Sequence, residues 1–134
     1  MIIFIIHDSD VESYRELIRN NVESINTDSI REYTLPAQDL PYEHQTEITI
    51  ARVIKDYDCD YREQTICFHT TNSTCFDVYR SLIKFGMIWY EDTVCLYVDR
   101  QGEIHNLKFD KHGRVADWPH DLGLTRDNAL SSLL

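Results

Sequence analysis

At 134 residues, with 43% hydrophobic and 11% aromatic content, the chain can build one compact core and is too short for two. A formal net charge of -10 argues against a direct grip on a phosphate backbone, because non-specific nucleic-acid affinity comes from Lys and Arg displacing counterions. No apolar run approaches the roughly 18 residues of a membrane-spanning helix, and Met1 to Ile6 is too short and lacks the basic flank of a secretory leader. A single cytoplasmic domain over residues 1–134, touching neither membrane nor nucleic acid, is the expectation.

Met1 to Ile6 is a continuous apolar run, the pattern of a parallel strand covered on both faces. His7-Asp8-Ser9-Asp10 follows, with Asp8, Ser9 or Asp10 placed to cap a helix from Val11 to about Val22, whose Val11, Tyr14, Leu17, Ile18 and Val22 share one face. Ser29 to Leu35 fits an edge strand. Pro36 and Pro41 then bracket a loop, and a second helix is predicted from Thr46 or Glu47 to about Tyr57. Gln64 to Phe68 is a second buried strand, and a third helix runs from about Thr74 to Phe85, capped by Thr71 or Asn72 and stopped by Gly86. Beyond it, Thr93 to Asp99, Glu103 to Phe109 and Gly113 to Ala116 read as short strands separated by Arg-Gln-Gly and Asp-Lys-His-Gly turns.

Alternating strands and helices predict an α/β fold, a sheet with flanking helices followed by a β-hairpin segment over 91–119. Sites in open α/β sheets gather at the carboxyl ends of strands, so Asp8, Asp10, His69, Thr70, Thr71 and Asp99 are placed to converge on one rim. The plainer reading has Asp10 and Thr71 as helix caps. Cys67 and Cys95 fall inside predicted buried strands and act as small hydrophobes, while Cys59 and Cys75 lack the spacing of a zinc site. His105 and His112 flank the hairpin turns and are expected to be exposed. Neither a cofactor nor a metal is expected.

The closing run carries a resemblance. Gly102, Asp110, Gly113, Arg114, Asp117, Trp118 and Pro119 match the strand-Gly-strand-Asp-x-x-Gly-Arg-strand-Asp-Trp-Pro segment of prokaryotic AAA (ABC-type) ATPases related to the OLD, RecF and SMC group, and the chain resembles the second half of that core. Upstream, His7-Asp8-Ser9-Asp10 stands where the family has its Walker B acidic pair, and His69 near its Thr-His-Ser triplet. The sequence departs in lacking any Gly-x-x-x-x-Gly-Lys-[Ser/Thr], since none of its four glycines precedes a lysine. Residues 35–62 form a longer interval than the family has, and Tyr42, Tyr57, Asp58 and Tyr61 within it suit a docking surface.

The resemblance implies a non-catalytic accessory or regulatory subunit, part of a cytoplasmic hetero-oligomer with a P-loop ATPase or a nuclease effector. Relatives of this kind serve bacterial defence against phage and plasmids. It also allows an inhibitory module that docks on an ATPase head. In a different class, the chain resembles haloacid-dehalogenase-like phosphatases: Asp8 would be the nucleophile, Asp10 the general acid/base, Thr70 or Thr71 the phosphate donor, Lys84 the charge clamp and Asp99 the Mg²⁺ ligand.

Overall fold

The computed structural model describes residues 1–23, 30–35, 48–53 and 65–115. Their centre is a five-stranded sheet: β1 (Ile2–His7), β2 (Ile30–Thr34), β3 (Thr65–Thr70), β4 (Thr93–Val98) and β5 (Ile104–Leu107), ordered β2-β3-β1-β4-β5. The first four are parallel, and only β5, joined to β4 by a tight turn, runs antiparallel. Two strand-linking helices are described in full, α1 (Tyr14–Asn21) and α2 (Ser73–Lys84), and residues 48–53 are also helical. The α/β expectation therefore holds. No helix among the described residues is long and apolar enough to cross a membrane.

The apolar runs are continuous because each central strand feeds two cores. Ile2, Phe4 and Ile6 pack with Ile66, Phe68, Cys95 and Tyr97 under α2, which contributes Phe76, Tyr79, Leu82 and Ile83. Ile50 of the helical stretch joins this layer. The alternate residues Ile3 and Ile5 pack with Cys67, Leu96 and Ile18 of α1 on the other face. A parallel strand inside a covered sheet has no solvent side, so period-two alternation survives in direction but not in polarity.

The start of α1 differs from expectation, while the cap of α2 is one of the two residues expected. Ser13 caps α1, its Oγ accepting from Glu16 N at 3.2 Å, and none of Asp8, Ser9 and Asp10 does. The reason lies across the sheet: Asp8 N donates to Val98 O at 2.8 Å and Ser9 Oγ donates to Asp99 O at 2.8 Å, which pins these residues before the helix can begin. Asn72 rather than Thr71 caps α2, its Oδ1 accepting from Thr74 N at 2.9 Å. Gly86, with φ +79°, ends that helix as predicted.

The carboxyl-terminal turns follow one plan. Asp99 Oδ1 accepts from Gln101 N and Glu103 N, both at 2.9 Å. Asp110 Oδ1 accepts from His112 N at 2.8 Å and Arg114 N at 3.0 Å. In each Asp-x-x-Gly turn the glycine has positive φ, +82° at Gly102 and +73° at Gly113. Across the second turn Phe109 and Val115 form an isolated antiparallel bridge, so Val115 alone of the predicted third strand pairs among the described residues. Asp117, Trp118, Pro119, Tyr42, Tyr57, Asp58, Tyr61 and Cys59 lie outside the described residues.

Candidate functional site

The carboxyl ends of β1, β3 and β4 do bring the predicted candidates to one edge, and β5, because it is antiparallel, begins there too. The pleat then divides them. Successive side chains point to opposite faces, so His7 goes to the α1 face and Asp8 to the α2 face.

On the α1 face, His7 Nδ1 lies 3.0 Å from Ser9 O and must carry the proton, which leaves Nε2 to accept from Tyr14 OH at 2.9 Å. The Tyr14 ring stacks on His69 with centroids 3.8 Å apart, and His69 Nε2 meets Thr34 Oγ1 at 3.2 Å. Burial holds the His69 pKa below its ordinary 6.5, and nearby His7 pushes the same way against the opposing pull of Glu32. His69 is therefore neutral at pH 7. Burial also raises the Tyr14 hydroxyl, helped by Cys67 and Glu32.

On the α2 face, Tyr97 OH donates to Asp8 Oδ2 at 2.6 Å, and the Tyr97 ring stacks on His105 with centroids 5.6 Å apart. His105 Nε2 donates to Asp99 Oδ2 at 2.9 Å. That bond, with the two backbone N–H bonds to Oδ1 and against the opposing effect of burial, holds the Asp99 carboxyl below its ordinary 3.8. Ser9 joins the two faces: its carbonyl accepts from His7 and its hydroxyl donates to the Asp99 carbonyl.

Asp8 and His69 thus do not share a site, being separated by the thickness of the sheet. Asp10 is exposed and lines a shallow depression with Val11, Ser13 and Glu16 beside α1. Thr70 Oγ1 accepts from Asn72 N at 2.9 Å, while Thr71 is exposed. Lys84 is the last residue of the twelve-residue α2, which starts at the rim; a helix rising about 1.5 Å per residue carries it roughly 16 Å away.

Sequence reasoning missed His7, Tyr14, Tyr97, Glu103 and His105. The signal for His105 was present: the hairpin register pairs it with Tyr97, and the turn folds it back toward Asp99. His105 is half-exposed, and its ring is hydrogen-bonded to Asp99. Cys75, together with Cys67 and Cys95, is buried. Comparison with known proteins returns no family model, no curated protein and no solved structure that matches this chain.

Proposed function

We propose that the chain is a non-catalytic accessory subunit of a multi-protein bacterial complex built around a P-loop ATPase, of the kind used in defence against phage or plasmids, working in the cytoplasm as part of a hetero-oligomer. One observation carries the reading: the groups that phosphoryl transfer needs do not converge, since Lys84 lies at the far end of α2 from the strand-end carboxylates. Asp8 receives the Tyr97 hydroxyl, and Asp99 is held by two backbone N–H groups and His105. A phosphoryl group under attack by a carboxylate needs a cation beside it. Here Lys84 lies at the other end of α2. The order of elements, an apolar strand leading to an acidic turn, a later strand carrying His69, a helix and two Asp-x-x-Gly turns, supports the ATPase-core kinship, and the sequence supplies no glycine-rich lysine loop of its own.

Phosphate release from ATP and from p-nitrophenyl phosphate, measured with the purified chain and Mg²⁺, tests this directly. Rates at the buffer background are expected with both. Turnover that disappears in Asp8→Asn would replace the subunit reading with the phosphatase one.

A further inference from the structure

The turn between β4 and β5 brings three potential ligand side chains together, one of which, Asp99, also closes the turn. Asp99, Glu103 and His105 each present one ligand atom, and the three atoms lie within 4.8 Å of one another. The set is more than an acidic patch. It includes an imidazole, and its first carboxylate is only 5% exposed, with Oδ1 fixed by the amides of Gln101 and Glu103 so that Oδ2 faces His105. The Tyr97 ring backs the imidazole. Glu103, in contrast, is exposed and turns with little cost.

The 2.9 Å separation of Asp99 Oδ2 and His105 Nε2 suits a hydrogen bond. Two ligands about 2.1 Å from one cation sit about 3 Å apart at right angles and about 3.4 Å apart in a tetrahedron, so the pair reaches metal-binding geometry by a small turn of the imidazole that swings Nε2 off Oδ2. A cation on the open side of the pair takes the place of the shared proton, and Glu103 closes the third position. We propose that Asp99, Glu103 and His105 form a binding site for a divalent transition-metal ion of the zinc or manganese class, which clamps the β4–β5 turn at the rim of the sheet. The donor chemistry sets the class: one imidazole with two carboxylates favours Zn²⁺ or Mn²⁺ over Mg²⁺ and Ca²⁺, which prefer oxygen throughout. The remaining positions face solvent, so water completes the shell. The inference stands apart from the accessory-subunit reading, since a clamp of this kind serves a docking turn and an isolated domain alike.

The test is a calorimetric titration of the purified, metal-stripped chain with Zn²⁺, and with Mn²⁺ while histidine resonances are followed by NMR. Saturable binding at one equivalent is expected, with Mn²⁺ broadening His105 ahead of His112. Loss of a ligand should cost more than the roughly tenfold typical of an outer-shell change, so Glu103→Gln and His105→Ala should each weaken binding by more than about tenfold. Excess Mg²⁺ should not displace the ion. Glu103→Gln is the decisive variant, because Glu103 is exposed and its loss leaves the Asp99–His105 bond intact. Absence of saturable binding, or affinity unchanged in Glu103→Gln, overturns the site and leaves only diffuse attraction of cations to an acidic protein.

Discussion

Gly113 is the residue on which the carboxyl-terminal segment turns. A Cβ there would stand 2.2 Å from the Arg80 carbonyl oxygen, a backbone atom with no freedom to retreat, and φ is +73°. Arg80 itself is fully buried, its Nε donating to Gly113 O at 2.8 Å and its guanidinium lying 5.7 Å from the centre of the Phe76 ring. A strained backbone costs about 1–3 kcal/mol, and displacing the turn from α2 also breaks a charge-assisted bond of similar size. Gly113→Ala should therefore lower the unfolding free energy by about 3 kcal/mol or more in urea, whereas Gly102→Ala, with nothing within 4 Å of its Cβ, should lose only about 1–2 kcal/mol to strain. Equal losses at the two glycines would mean that the approach to Arg80 contributes nothing. The thiols give a second prediction at this scale. Burial, with Glu32 adding to it, pushes the Cys67 pKa up to about 12, and burial raises Cys95 as well. Thiolate is the reactive form, so iodoacetamide at pH 8 should leave Cys67, Cys75 and Cys95 unlabelled in the native protein and label all three in denaturant, as read by peptide mass mapping.

Between α1 and the sheet, stability should depend on pH through His69. Its folded pKa lies below 6.5, so the unfolded chain takes up a proton before the folded one does as the pH falls. The stability is complete above about pH 6.5 and declines as the pH falls through the folded pKa. Urea midpoints measured from pH 7.5 to 5 should fall, and His69→Gln should flatten that slope; a slope unchanged in the variant would assign the effect elsewhere. These elements differ in how far they could be read from sequence. The parallel strands were legible because a strand covered on both faces must be apolar throughout, and the Asp-x-x-Gly turns because glycine marks positive φ. The start of α1 was not, since Asp8 and Ser9 are drawn away by Val98 and Asp99, partners some ninety positions distant. The split of Asp8 from His69 follows from strand parity, but only once the sheet order makes β1 and β3 neighbours. His105 escaped notice because a histidine beside a turn looks solvent-facing until the hairpin register is counted.

At the scale of the molecule, the strand-end carboxylates lie far from Lys84, the chain carries a net charge of -10, and the role we propose is that of an ATPase-core relative whose sequence has no loop to hold the phosphates. Such a chain is expected to work by contact, and an acidic surface steers toward a basic one. Copurification is the direct measurement: the tagged chain, expressed from its own genomic neighbourhood and isolated at low salt, is resolved by size, and its companions are identified by mass spectrometry. The account predicts a P-loop ATPase at fixed stoichiometry, released as the salt is raised. A chain that elutes alone across that range, with no ATPase in any fraction it occupies, would contradict it.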